Sequence, residues 1–443
     1  GRKISWLDVG LAALSAVAGA YLVVQADEIS ERMGIPITLD LIVGGVIVLL
    51  VLEATRRAIG AAITIISVVV LLYASFGYLA PLAIAHRGYS LERIISQMSL
   101  ATEGIFGIPL GVSATFIVLF TIFGAVLEVS GAGKFFVDFA LGCMGKSRAG
   151  AGRAVTLASF LLGTVSGSGA ATAVTVGAVA WPLLKRSGYD AESAGGLLAA
   201  GGIGAVISPP VLGAASFLIA EILRISYLEV LIMASIPTIL YYASILFMVE
   251  GDARRLGLQQ VSLGTVDVRA LTRQYWFHFA SLVTIVIFMA LGYSAITAVF
   301  YSILIAIASS FVNRGSALYP RKVVEALASG SKQVLGVAAT CACAGIIVGV
   351  INLTGIGLKF SGIIIDIAGG NLYLTLILTA FILLILGLAL PITASYIIAA
   401  VMTAPALVKL GVPEGAAHMF IFYYAVLSEV SPPMAITPFA AAA

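Results

Sequence analysis

The chain has 443 residues, 61% of them hydrophobic and 10% charged, with a net charge of +3 and a mean hydropathy of +1.12. That balance leaves too few polar residues to solvate the surface of a soluble globule, and it predicts an all-α polytopic membrane protein with the lipid bilayer as its surroundings and no nucleic-acid partner. Three cysteines, Cys143, Cys341 and Cys343, are too few for a disulfide framework, and a CxC pair in an apolar helix lacks zinc spacing, so all three read as buried packing residues.

In chain order, the first expected span is Trp6 to Gln25, preceded by Arg2 and Lys3. The second, containing Leu41 to Ala54, ends at Arg56 and Arg57, and the third runs from Ile59 to His86. Apolar runs of this length suit a hydrocarbon layer of roughly 30 Å, and they lack the alternation of barrel strands. The positive-inside distribution puts the N-terminus in the cytoplasm. Asp40 and Glu53 lie near segment ends, where they are expected to reach interfacial water. A further crossing, Ile108 to Gly131, returns to the cytoplasmic side at Lys134, Lys146, Arg148 and Arg153.

Ala151 to Val165 and Thr172 to Leu184 are each short for a span and are joined by VSGSGAA, which reads as a re-entrant hairpin based on the cytoplasmic side. Ala191 to Leu223 then crosses outward with a break at Ser208-Pro209-Pro210. Leu228 to Val249 returns, toward Arg254, Arg255, Arg269 and Arg273. Spans at Tyr275 to Tyr293 and Ala295 to Val312 lead to Arg314, Arg321, Lys322 and Lys332. Ser331 to Thr354 crosses outward again. The second hairpin, Leu372 to Leu390 with Thr393 to Val408, is therefore expected to have its base on the far side, where Asp366 and Glu414 flank Lys409.

Two stretches share one punctuation. Pro182, Gly188 and Ser208-Pro209-Pro210 recur at an offset of 223 as Pro405, Gly411 and Ser431-Pro432-Pro433; Gly131, Gly133 and Phe136 recur at 224 as Gly355, Gly357 and Phe360. With the alternating sign of the flanking charge, this predicts inverted repeats with two re-entrant helical hairpins and two broken helices. The expected division is residues 1–104, 105–250, 251–315 and 316–443. The first repeat runs past its Ser-Pro-Pro through a whole further apolar segment, so the second is expected to be truncated at the C-terminus.

The breaks are where chemistry is expected. Non-helical backbone at membrane depth is tolerated only where protein buries it or water reaches it, and freed carbonyls suit a cation while helix N-termini suit an anion. Ser166, Ser168, Gly169 and Thr172 with the carbonyls around Ile207 and Ser208 form one candidate oxygen site; Thr393 and Ser395 with those around Val430 and Ser431 form its mate. Oxygen ligands without clustered carboxylates fit a monovalent ion better than Ca²⁺. Ser166, Ser168, Thr393, Ser395 and Thr437 are also the candidate substrate contacts. Glu429, whose repeat equivalent is Val206, is the candidate coupling group, since an intramembrane carboxylate is functional by default; a structural hydrogen bond is the alternative. Close helix packing is the alternative for Gly163, Gly167 and their neighbours. His86, His278 and His418 are scattered, and SGSGA is not the GxSxG elbow, so neither a metal centre nor an enzyme is expected.

The stretch GTVSGSGAATAVTVGAVAWPLLKRSGYDAESAGGLLAAGGIGAVISPP closely resembles the large membrane subunit of tripartite ATP-independent periplasmic (TRAP) transporters, and SEVSPPMAITPFAAA resembles its second hairpin region. The resemblance covers roughly Ile105 to Ala443. GIFGIPLGVSATF is similar to the TAXI branch, in which small and large membrane subunits are fused, so residues 1 to about 100 would stand for the small subunit. With three spans there where four are usual, either Tyr89 to Thr102 lies along the interface or the boundary sits elsewhere. The resemblance implies a bacterial inner-membrane secondary transporter that moves its transport domain as an elevator and takes an organic acid, such as a dicarboxylate, from a periplasmic substrate-binding protein. Na⁺ is the implied coupling ion, with ligands at the two hairpin tips and the carbonyls before Pro209 and Pro432. Proton coupling through Glu429 and a stand-alone anion symporter are the alternatives.

Overall fold

The computed structural model describes residues 5–32, 34–144, 147–260 and 267–443, so the expected topogenic residues Arg2, Lys3 and Lys146 lie outside the described residues. The chain is an all-α polytopic membrane protein. The N-terminal stretch folds as α1 (Trp6–Val24), α2 (Ala26–Glu31), α3 (Thr38–Ala58), α4 (Ala61–Phe76) and α5 (Leu91–Ser99). There follow α6 (Ile108–Val112) and α7 (Val118–Val129), joined by a π turn at Ser113–Ile117, then α8 (Ala132–Met144), α9 (Gly150–Ser166), α10 (Gly169–Ser187), α11 (Ala191–Val206), α12 (Ala215–Leu223) and α13 (Tyr227–Arg255). Next come α14 (Val268–Tyr275), α15 (Phe277–Ala290) and α16 (Ala295–Ser310). The last group is α17 (Pro320–Thr354), α18 (Ile356–Ile367), α19 (Leu372–Gly387), α20 (Ile392–Lys409), α21 (Glu414–Val426) and α22 (Ile436–Ala442). Among the described residues, seven segments are long and apolar enough to cross a bilayer: α1, α3, Ala61–Leu79, Ile108–Val129, α13, α17 and α20.

The boundaries follow local chemistry. Ser5, Ser90, Ser168, Asp190, Ser226, Ser294 and Asn371 each cap a helix by accepting a backbone N–H. The Gly-Tyr-Asp motif closes α10 with Gly188 in a left-handed conformation (φ +100°) and opens α11 with Asp190. Amide and hydroxyl donation from Ser193 holds the Asp190 carboxyl below its ordinary range. Arg321 and Lys322, expected ahead of the span that begins at Ser331, stand instead on α17 with Lys332, because the helix already starts at Pro320, where proline suits a first helical turn. Leu91–Ser99 spans only nine residues, too short to cross the bilayer at 1.5 Å per residue.

The duplication persists in the backbone. Offset by 223, the start of α10 at Gly169 falls on that of α20 at Ile392, and the start of α11 at Ala191 on that of α21 at Glu414. Gly131 and Gly355, both at positive φ, separate the helix pairs α7/α8 and α17/α18. Both Ser-Pro-Pro segments carry a cis Pro–Pro bond.

The chain divides into two compact units. The first, Gly1–Ala114 with Leu335–Ile421, packs α3, α4, α5, the later part of α17 and α20 around Ile63, Met98, Cys343, Ile346, Val350 and Ala394. Cys341 and Cys343 are buried here as expected, with Ser67 Oγ 3.0 Å from Cys343 Sγ. Asp40 is not washed by interfacial water. It is 1% exposed, accepts from Arg32 Nε at 2.8 Å, Arg32 Nη2 at 3.0 Å and Tyr21 Oη at 2.5 Å, and caps the Ile37 amide at 3.1 Å. Glu53 likewise pairs with Arg56 and Arg57. Asn would remove the carboxylate on which Arg32 and Tyr21 converge, so Asp40→Asn is expected to destabilise this unit by about 1–2 kcal/mol, which thermal unfolding in detergent would register.

The second unit is Thr115–Val334 with Phe422–Ala443. Its core joins α8, the α9/α10 hairpin, α11 and α13 through Val137, Val155, Leu162, Val176, Leu198 and Tyr242. Small residues permit the closeness: a methyl group on Gly163 would stand 2.6 Å from Ala205 Cα, and one on Gly202 would stand 2.7 Å from the Gly169 carbonyl. Cys143, expected to be buried, is exposed.

Candidate functional site

The first hairpin turns in two residues. Gly167 ends α9 at φ +56°, its amide returning to Gly163 O at 3.1 Å, and Ser168 is the N-cap of α10, its Oγ accepting from Ala171 N at 3.4 Å. This brings three expected site residues together: Ser166 Oγ lies 2.7 Å from Thr172 Oγ1 and accepts from the Ser168 amide at 3.3 Å. Thr172 is fully buried and Ser166 half-buried, so the tip holds a compact cluster of hydroxyl oxygens.

The first break sits alongside, with several of its polar atoms engaged. Ser208 Oγ donates to Gly204 O at 2.8 Å and meets Tyr242 Oη at 2.9 Å, while Ile207 O accepts from Thr238 Oγ1 at 2.5 Å. Val206 O accepts from Gly213 N at 2.7 Å. The carbonyls facing the tip come from beyond the prolines: a methyl group on Gly167 would stand 3.1 Å from Leu212 O and 3.3 Å from Val211 O. Thr238 and Tyr242 were not legible as site residues, although a Thr at i and a Tyr at i+4 in an apolar span are the only signal available.

The second break supplies the charge. Thr437 Oγ1 donates to Glu429 Oε2, and this pair is held against the start of α10: a methyl group on Gly169 would stand 2.6 Å from Thr437 Oγ1 and 3.2 Å from Glu429 Oε2. Ser431 Oγ donates to Leu427 O at 2.9 Å, repeating at the same offset the bond from Ser208 to Gly204. Val430 donates its amide to Leu427 O at 3.1 Å. The neighbouring Ser428 hydroxyl is buried and has no hydrogen-bond partner among the described residues.

Thr393 and Ser395, the expected mates of Val430 and Ser431, belong to the first unit. There Pro391 precedes α20, Ser395 Oγ donates to Leu390 O at 3.2 Å, and both side chains are buried. Among the described residues no group of three or more His, Cys, Asp or Glu could hold a metal ion. A groove of about 1310 Å³ along α10, α11 and α22 is lined mainly by Ala, Gly and Leu and lacks converging ligands. Ser168→Ala is expected to cost about 1 kcal/mol through loss of the helix cap, whereas Ser168→Gly costs a few tenths. Thermal stability of the two variants, measured beside uptake, would separate capping from ligation.

A family profile described as the tripartite ATP-independent periplasmic transporter, DctM component, matches residues 46–443. The chain belongs to this family. The match begins inside α3, well before Ile105. It is 29% identical over 163 residues to the 2,3-diketo-L-gulonate TRAP transporter large permease protein YiaN of Escherichia coli (strain K12), covering 37% of this chain and 36% of that one. It is 38% identical over 93 residues to the C4-dicarboxylate TRAP transporter large permease protein DctM of Pseudomonas aeruginosa, covering 21% and 22%. A putative TRAP transporter large permease protein of Haemophilus influenzae is 26% identical over 146 residues, covering 33% and 34%. The matched stretches thus span about a third or less of these relatives' length.

Proposed function

We propose that this chain is the membrane permease of an ion-coupled secondary transporter in a bacterial inner membrane, taking up an organic acid handed over by a periplasmic substrate-binding protein. The observation that carries this reading is the seating of Glu429 and Thr437 against the start of α10, beside the hydroxyl cluster of Ser166 and Thr172. One helix end, three hydroxyls and a carboxyl gathered at a break between helices fit the broken-helix sites of transporters. The α9/α10 and α19/α20 hairpins are read as re-entrant, the repeats as inverted, and the movement between inward- and outward-facing states as an elevator. The solutes of the relatives, 2,3-diketo-L-gulonate and C4-dicarboxylates, favour a sugar acid or a C4-dicarboxylate as the solute class.

Sodium is the proposed coupling ion, because hydroxyl and carbonyl oxygens dominate the tip. A second reading, proton coupling, is favoured by one observation: Glu429 is the sole carboxylate at the two breaks. Proteoliposomes loaded with the purified protein, given binding protein and candidate acids, would test both with sodium and pH gradients imposed separately. Uptake with neither gradient, or none of any organic acid with both, would overturn the proposal.

A further inference from the structure

Beside the first hairpin, within the second unit, lies another cleft, of about 230 Å³, whose polar lining comes from several helices. α7 contributes Thr121 and Glu128, α17 contributes Ser329 and Gln333, and the hairpin contributes Ser166 and Thr175. The spacing is orderly: Thr121 and Glu128 are seven residues apart, two turns along one face, and Ser329 and Gln333 are one turn apart. Glycines set the walls. A methyl group on Gly330 would stand 2.8 Å from Ile122 Cα, drawing α17 onto α7, and one on Gly124 would stand 2.9 Å from Val165 O, drawing α7 onto the hairpin.

The lining contains no Lys, Arg or His, and its one charged side chain is Glu128. Glu128 also lies in the last turn of α7, where the carbonyl end of the helix adds negative potential. Among the described residues Glu128 has no ion pair. At ~30 Å³ per water, the volume is on the order of seven waters, room for a small cation that keeps much of its hydration. The lining includes Ser166, the hydroxyl that meets Thr172.

We propose that this cleft is a cation-gathering vestibule: Glu128 draws a hydrated monovalent cation in, and the hydroxyl and amide oxygens lead it to Ser166 at the hairpin tip. The inference rests on the reading of that tip as the ion site of an ion-coupled permease. Glu128, Ser329 and Gln333 are not ligands of the tip itself; they act on the approach to it.

The test uses thiol chemistry, which needs no transport. In the full chain with Cys143, Cys341 and Cys343 replaced by alanine, Thr175→Cys becomes the reporter, with Ser329→Cys as a second reporter in case the first perturbs folding. Each is reacted with a cationic and an anionic methanethiosulfonate of similar size. The cationic reagent is expected to react about tenfold faster relative to its rate with a free thiol, and Glu128→Gln is expected to bring that ratio close to one, the scale set by one charge several ångströms away in a partly aqueous cleft. Equal rates with Glu128 present, a preference unchanged by Glu128→Gln, or no reaction at either reporter would overturn the proposal. A cationic preference in a protein that takes up no organic acid would leave the vestibule and remove the uptake reading; coupled uptake without the preference would do the reverse.

Discussion

Glutamine in place of Glu429 is expected to raise the sodium concentration that half-saturates uptake by about tenfold, with the protein still inserted and folded. Gln keeps the shape and an oxygen for the Thr437 hydroxyl, so the contact against the start of α10 survives. What goes is the negative charge, and a tenfold change corresponds to about 1.4 kcal/mol, within the range of a charged-group contribution at a partly buried site. The measurement is initial uptake in proteoliposomes against external sodium at fixed pH. Proton coupling predicts a different pattern: wild-type uptake would follow a pH gradient in sodium-free vesicles, and Glu429→Gln would lose it. An unchanged sodium dependence together with a fully retained pH-driven component would remove Glu429 from coupling altogether.

Alanine at Gly163 is expected to destabilise the second unit by about 1–3 kcal/mol and to depress uptake in proportion to the folded fraction. The added methyl group would stand 2.6 Å from Ala205 Cα and 2.8 Å from Ala205 Cβ, and neither a backbone atom nor a methyl group has a rotamer to escape into. Gly195, on the helix that carries Ala205, is the matched control. Nothing lies within 4 Å of a methyl group there, so Gly195→Ala is expected to be neutral or to stabilise by up to about 1 kcal/mol through helix propensity. Opposite signs for the two glycines, read as melting temperatures in detergent, would establish that helix contact and not backbone freedom keeps Gly163. Equal effects would contradict the packing.

The helices and their interruptions were legible because they depend on local chemistry. Apolar length gave the spans, Gly188 with Asp190 gave the turn after the first hairpin, and the two Ser-Pro-Pro segments gave the breaks. Side-chain pairing across distance was not legible. Asp40 looked like a residue bound for water because its partner Arg32 lies across an intervening turn after α2, and nothing in the spacing says that the guanidinium folds back. The cleft of Thr121, Glu128, Ser329 and Gln333 draws on residues some two hundred positions apart, each unremarkable in its own helix. At the first break, spacing gives no sign that Thr238 donates to Ile207 O and Tyr242 meets the Ser208 hydroxyl, or that Val211 and Leu212 set carbonyls opposite Gly167.

Register within α10 converts chain length into angle. One residue inserted between Gly169 and Ala170, inside the helix, would advance everything after it by about 100° around the helix axis, and Thr172 would swing away from Ser166. Tyr189, between the close of α10 at Gly188 and the start of α11 after Asp190, is buried in the core, and its amide donates to Leu184 O at 3.1 Å. The hairpin is therefore held at both ends, by helix register and close contact at its tip and by the buried Tyr189 at its base.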